Sequence, residues 1–177
     1  MQSANESRPH WLRVVLIGRR PRATLVRIAV LVAACFAIFK FMLLPIRIEG
    51  ISMLPTYHDH QVNCINRLAY LRHEPRRGDI VSVRYSDPGR LAYPSVMLMK
   101  RIIGLPGETV AFHNGRAFIN GQPLDEPYVK FSCDWETAPF PCSSTQYFIV
   151  GDNRSMPFYF HTKGRIERDH IVGKLFL

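Results

Sequence analysis

A chain of 177 residues, 47% hydrophobic and 21% charged, can bury one core and carry an accessory segment, and this composition argues against wholesale disorder. Its net charge is +9, but eight Lys/Arg against Glu6 and Glu49 put +6 in residues 1–49, while fifteen basic against twelve acidic residues leave +3 in residues 50–177. The basic cluster abuts an apolar run, so it reads as a membrane-topology signal and not as a nucleic-acid surface.

That run is Ile28–Ile46, broken only by Lys40. As a helix, its nineteen residues cover about 28 Å, close to the hydrocarbon thickness of a bilayer. Lys40 sits six residues from the end, near enough for its ammonium to snorkel outward along its aliphatic stem. Pro45 predicts the helix end. Arg8, Arg13, Arg19, Arg20, Arg22 and Arg27 precede the span and only Arg47 closely follows it. The N-terminus is therefore expected in the cytoplasm and the rest of the chain outside. The expected organisation is a basic tail over 1–27, a transmembrane helix over 28–46 and an extracytoplasmic β-rich domain over 47–177. Trp11–Ile17 forms a weaker interfacial segment. A cleaved signal peptide would need a polar region after the run, which is missing. Val32-Ala33-Ala34-Cys35 has the look of a lipoprotein processing site, but the ten residues after Cys35 stay almost wholly apolar.

Beyond the span the pattern is that of strands. Runs of strand character occupy 80–85, 96–103, 109–113, 116–119, 146–150 and 171–177. Asn114-Gly115 separates two of them and predicts a two-residue hairpin, since both turn positions need positive φ. Asn120-Gly121 predicts a second turn. Residues 86–95 and 122–144, rich in Pro, Ser and Asp, read as loops. No helix, βαβ rhythm or long repeat appears. The expected fold is mainly β, an antiparallel, partly closed sheet preceded by one N-terminal transmembrane helix.

Four cysteines are present. Cys35 falls in the span as an apolar filler. Cys133 and Cys142 flank a short segment, and an external location makes a disulfide between them the expected pairing. Cys64 with His58 and His60 lacks the paired spacing of a metal site, so no metal is expected.

Two residues carry the chemistry. Ser52 lies in Gly50-Ile-Ser-Met-Leu-Pro-Thr56, just past the apolar run, and Lys100 lies 48 residues later in Met97-Leu-Met-Lys-Arg-Ile-Ile103. A serine hydroxyl needs a positioned base, and a lysine can be that base only when neutral, with its pKa well below the usual value of about 10.4. On a strand Lys100 shares a face with Leu98 and Ile102, an apolar setting that penalises the ammonium. Arg101 falls on the opposite face, so Arg101→Lys is expected to retain much more activity than Lys100→Arg. None of the seven histidines sits in a nucleophile or base motif of a histidine triad.

Five ordered blocks resemble the type I signal peptidases, a family of membrane serine proteases with a Ser/Lys dyad. They are Gly50-x-Ser52-Met53-x-Pro55-Thr56, Arg77-Gly78-Asp79-Ile80-Val81, Lys100-Arg101-Ile102-Ile103-Gly104-x-Pro106-Gly107-Glu108, Asn120-Gly121 with Glu126-x-Tyr128, and Gly151-Asp152-Asn153-Arg154. The resemblance implies Ser52 as nucleophile, Lys100 as general base and the Ser52 backbone N–H as oxyanion donor. Gly50 stands where some members carry an assisting serine, which implies that this second donor is missing. Ile46, Ile48, Met53, Leu98 and Met99 match substrate-pocket positions, and Asp152, Asn153, Arg154 and Ser155 match supporting ones. Implied partners are preproteins with small residues at positions −1 and −3, bound as an added strand, and a lipid bilayer. Neither nucleic acid nor a cofactor is implied. The implied location is a bacterial cell (inner) membrane, single-pass, with the N-terminus cytoplasmic.

The chain departs from the family after Arg154. Pro157, Tyr159 and His161 stand where the usual Ser, Asp and Arg would be, leaving Ser155 or Tyr159 to hydrogen-bond Lys100. The expected activity is removal of N-terminal signal peptides from exported preproteins. The alternatives are a relative dedicated to pilin or another single secreted substrate, and an inactive membrane-anchored β-domain. A self-cleaving repressor-type Ser/Lys domain would need a DNA-binding module where this chain has an apolar span.

Overall fold

The computed structural model describes residues 21–85, 96–131, 133–160 and 163–176. The chain divides into two units, Met1–Phe41 and Met42–Leu177.

In the first unit, helix α1 spans Pro21–Ala37 and passes into a π-helical turn, Ile38–Met42. Pro21 suits a helix start, where its missing N–H costs nothing. Apolar residues cover the whole circumference, and Leu25, Val30, Leu31 and Phe36 are exposed. A helix apolar all round belongs either in a protein core or in lipid. Its 21-residue stretch Arg22–Met42 is long and apolar enough to cross a membrane.

The expected span over 28–46 is thereby shifted toward the N-terminus. Leu43–Arg47 form strand β1, paired with β2 (Val62–Asn66) from Leu43↔Asn66 to Arg47↔Val62. Apolar composition alone could not separate the last residues of a membrane helix from a strand that follows at once. Pro45 marks the difference. In the seven-stranded sheet β1 lies at the edge, one of the few places in a sheet where a residue without an N–H is accepted.

That sheet is antiparallel throughout, in the order β1-β2-β11-β3-β4-β9-β10. Its further strands are β3 (Ile80–Tyr85), β4 (Val96–Gly104), β9 (Gln146–Val150), β10 (Gly164–Glu167) and β11 (Ile171–Leu175). A second sheet, β7-β6-β5-β8, is built from β5 (Thr109–His113), β6 (Arg116–Ile119), β7 (Gln122–Pro123) and β8 (Phe140–Pro141). The antiparallel β expectation holds, but both sheets are open and neither closes on itself. Both hairpin turns form as expected. Asn114 and Gly115 have φ of 47° and 72°, Asn120 and Gly121 of 51° and 82°, and the registers close on His113↔Arg116 and Ile119↔Gln122. The 122–144 loop is mostly irregular, with β7 and β8 as two-residue contacts; the 86–95 loop lies outside the described residues.

Alternation along the central strands buries the large sheet on both faces. Ile80 joins a cluster with Ile48, Met53, Tyr57, Ile65 and Leu175. Its neighbour Val81 joins Val83, Ile102, Ile149 and Ile171 in another. Ile103, Phe148 and Val150 pack with Val110 and Phe112 of the smaller sheet and with Trp135. The expected disulfide is not formed: Cys133 and Cys142 are free thiols. The Cys133 thiol donates to the Gly115 carbonyl at 3.2 Å, and Cys142 is buried in the core beside Val110 and Phe112. Each behaves as a small apolar residue.

Candidate active site

Three segments converge on Ser52. The chain leaves β1, buries Ile48 and Met53 in the core, and folds residues 49–57 into a tight turn containing a cis Leu54–Pro55 peptide. Strand β4 brings Lys100. The segment after β9 returns along the turn, where the Asn153 N–H donates to the Ser52 carbonyl at 3.0 Å and Asn153 Nδ2 to the Ile51 carbonyl at 3.1 Å. Asn153 thus holds the nucleophile segment by its backbone.

Lys100 Nζ donates to Ser52 Oγ at 2.7 Å. Lys100 is 3% exposed. Burial lowers its pKa to about 8, with the Asp152 carboxylate pulling weakly the other way. The apolar surroundings read from the strand pattern are present. Among the described residues no backbone carbonyl accepts from the Ser52 N–H. Gly50 has φ +94° and its N–H goes to Asp59 Oδ1 at 2.8 Å.

Asp152 and Arg101 sit one layer deeper. The Asp152 carboxylate, wholly buried, accepts from Arg101 Nε at 2.8 Å, from Arg101 Nη2 at 2.6 Å and from Thr56 Oγ1 at 2.5 Å. The Arg101 guanidinium stacks 3.8 Å over the Tyr128 ring and donates to the Gly78 carbonyl at 2.7 Å. Tyr128 donates to Glu126 at 2.8 Å, and Glu126 takes both terminal nitrogens of buried Arg154. A continuous polar chain therefore runs from the serine turn through Asp152, Arg101, Tyr128 and Glu126 to Arg154. Thr56, Glu126 and Tyr128 lie within the motifs named above, but no sequence signal gave them these partners.

The five pocket positions expected from sequence, Ile46, Ile48, Met53, Leu98 and Met99, line one groove of about 520 Å³ together with Ser52 and Lys100. Ser82 and Met156 complete parts of its wall and were not anticipated. The expectation for the 155–163 segment needs correction. Ser155 Oγ bonds Asn153 Oδ1 at 2.7 Å, and Tyr159 is 93% exposed, so neither reaches Lys100. Met156 and Phe158 are tied to Trp135 instead: Trp135 Nε1 donates to the Met156 carbonyl at 3.2 Å and the ring packs edge-on against Phe158, over which Lys163 lies at 3.3 Å. His161 lies outside the described residues. Among the described residues, no group of three His, Cys, Asp or Glu is placed to hold a metal.

A hydroxyl and a buried amine at hydrogen-bond distance, set in an apolar groove on an antiparallel β scaffold, is the arrangement of serine hydrolases that use lysine as base. Comparison with known proteins makes this narrower. The family model "Signal peptidase, peptidase S26" matches residues 22–177. A "Signal peptidase I" of Leptolyngbya laminosa is 36% identical over 125 residues, 70% of this chain and 62% of that protein. A "Signal peptidase IB" of Staphylococcus aureus is 30% identical over 169 residues, 85% of each. A crystal structure of a signal peptidase I from Enterococcus faecalis aligns with TM-score 0.44 at 28% identity, covering 58% of this chain and 97% of that one. The chain belongs to the signal peptidase family, peptidase S26. The matches to the Leptolyngbya protein and to a Synechocystis "Probable signal peptidase I-2" span 62% and 60% of those relatives' lengths.

Proposed function

We propose that this chain is a membrane-bound serine endopeptidase that removes N-terminal signal peptides from exported preproteins. The observation that carries the reading is the 2.7 Å contact between Ser52 Oγ and the Nζ of a lysine only 3% exposed. Neutral Lys100 takes the Ser52 proton as Oγ attacks the scissile carbonyl. The Ser52 N–H meets the developing oxyanion, and Lys100 returns its proton to the leaving amine. Water then opens the acyl-enzyme ester, with Lys100 again as base, and the route calls for no metal or cofactor.

The preprotein has a natural seat. Strand β4 pairs with β3 along Val96–Arg101, but its pairing with β9 begins only at Arg101. A substrate strand would add at the edge this leaves beside Val96–Lys100. The groove next to it, walled by Ile46, Ile48, Met53, Leu98 and Met99, suits small side chains at −1 and −3. The apolar helix would hold the enzyme in the cell membrane with its N-terminus in the cytoplasm.

The test is cleavage of a preprotein with an Ala-x-Ala site by purified protein in detergent. Ser52→Ala is expected to lose at least about 10³-fold in rate while keeping its thermal unfolding profile, because the covalent route is gone. Turnover of Ser52→Ala near the parent rate, in a preparation free of host peptidase, would sink the reading.

A further inference from the structure

The chain enters the serine turn along an antiparallel ladder. Strands β1 and β2 pair as far as Arg47↔Val62. One rung further, the Ile48 N–H donates to the Gln61 carbonyl and the His60 N–H to the Ile48 carbonyl, each at 2.8 Å. Donors facing one partner recur every second residue along a strand, so Gly50 is the next in line. Its N–H goes to a side chain, Asp59 Oδ1 at 2.8 Å. The same oxygen accepts from the His60 N–H at 3.0 Å. One carboxylate oxygen thus ties the two segments together where their backbone pairing ends.

Ser52 lies two residues beyond Gly50. Gly50 has φ +94°, and beyond its chain neighbours no atom lies within 4 Å of where a Cβ would stand, so packing does not fix the backbone here. The other end of the turn is well held. Met53 and Tyr57 are buried, Thr56 bonds Asp152, and Asn153 bonds the carbonyls of Ile51 and Ser52. Asp59 supplies the restraint at the Gly50 end. Its pKa is lowered chiefly by the Gly50 N–H, with His60 and Arg47 adding to the effect against desolvation, so the acceptor is charged at neutral pH. The side chain is 42% exposed and lies outside the five blocks of the family resemblance, so core packing does not account for it.

Building on the signal-peptidase reading, we propose that Asp59 is a positioning residue for the nucleophile. Its carboxylate pins the Gly50 end of the turn as Asn153 pins the Ser52 carbonyl. Together they keep the Ser52 hydroxyl 2.7 Å from Lys100 and its N–H in one orientation. Asp59 does not line the groove, so its loss should slow the chemical step and leave substrate binding alone.

The experiment compares Asp59→Ala with Asp59→Asn in the full-length protein in detergent, on a preprotein with an Ala-x-Ala site. Asparagine keeps an oxygen where Oδ1 stands; alanine removes it. Asp59→Ala is expected to lower kcat about fivefold, the worth of one solvent-accessible bond to a charged acceptor, with KM near the parent value. Asp59→Asn should recover most of that loss. Both variants should keep the pH midpoint and the thermal unfolding temperature of the parent. Hydrogen–deuterium exchange over residues 48–54 needs no substrate, and should quicken in Asp59→Ala but not in Asp59→Asn. A kcat unchanged by Asp59→Ala, a loss confined to KM, an equal loss in Asp59→Asn, or exchange unaffected by Asp59→Ala in a parent that cleaves overturns the positioning role alone. A parent that leaves the preprotein uncut overturns the signal-peptidase reading and the proposal with it.

Discussion

At Ser52 and Lys100 the cost and the use of one buried amine can be measured together. Lys100 is lowered to about 8 by burial, so the fraction able to accept a proton rises tenfold per pH unit below that value. Under the proposed mechanism kcat/KM should climb with pH and level off above about pH 8. The same shift has a stability sign. The unfolded chain binds the Lys100 proton up to about pH 10.4, the folded chain only to about 8. Between those values the unfolded state holds more protons, so stability rises with pH; below about 8 a constant penalty of roughly 3 kcal/mol remains. Lys100→Met should thus lose activity by about 10²–10⁴-fold yet unfold at a higher temperature than the parent at pH 7. A variant that is inactive and destabilised would count against the buried, costly amine. Arg101 behaves oppositely. Strand alternation sets it apart from the base, and its guanidinium is bidentate to buried Asp152 and stacked on Tyr128. A lysine offers neither the fork nor the plane. Arg101→Lys should cost about 1–3 kcal/mol in denaturant titration and lower activity by loosening Asp152 from Thr56 on the serine turn.

At the scale of elements, much of the sheet was legible, and each miss has its own cause. The runs at 80–85, 109–113, 116–119 and 146–150 became strands with those bounds, because alternating or continuous β-branched and aromatic residues report burial directly. Strands β1, β2 and β10 were missed. In β1 the apolar composition merged with the membrane run, and in β2 Asn63 and Asn66 dilute the pattern. β10, Gly-Arg-Ile-Glu, is a partly exposed edge strand. In the candidate site, the motifs marked Ser52 and Lys100 and the family resemblance marked the five positions that line one groove with them. The fates of Ser155 and Tyr159, and the roles of Glu126 and Tyr128, depend on contacts distant in sequence. So does the fit of β11 between β2 and β3. The β11–β3 register shifts between Ile171 and Gly173, and a Cβ on Gly173 would sit 2.4 Å from the Asn66 carbonyl oxygen and 2.8 Å from Ile65 Cγ2. Backbone cannot move aside as a flexible side chain can. Gly173→Ala should destabilise by about 1–3 kcal/mol in urea unfolding; a midpoint unchanged from the parent would show that the strand junction yields freely.

For the whole molecule the decisive asymmetry is electrical. Six arginines lie at or before Arg27, whereas Arg47 is the one basic residue in the first dozen positions after Met42. Arginine is retained on the cytoplasmic side during insertion, and the bias counts basic residues near the span, not net charge. The apolar helix Arg22–Met42, the one membrane-length helix among the described residues, would then put the ends of the chain on opposite sides of the membrane. The signal-peptidase reading requires this outcome, since a signal peptide is cut where the preprotein emerges. A reporter active only outside the cytoplasm, fused after Leu177, should be active, and the same reporter fused ahead of Trp11 should be silent. Protease added to intact spheroplasts should digest residues 47–177. Replacing Arg19, Arg20, Arg22 and Arg27 together by glutamine should shift part of the population to the inverted topology, seen as partial protease protection and a matching loss of preprotein processing. Full protection of the β-domain in the unmodified protein would reject the orientation, and with it a groove facing emerging preproteins.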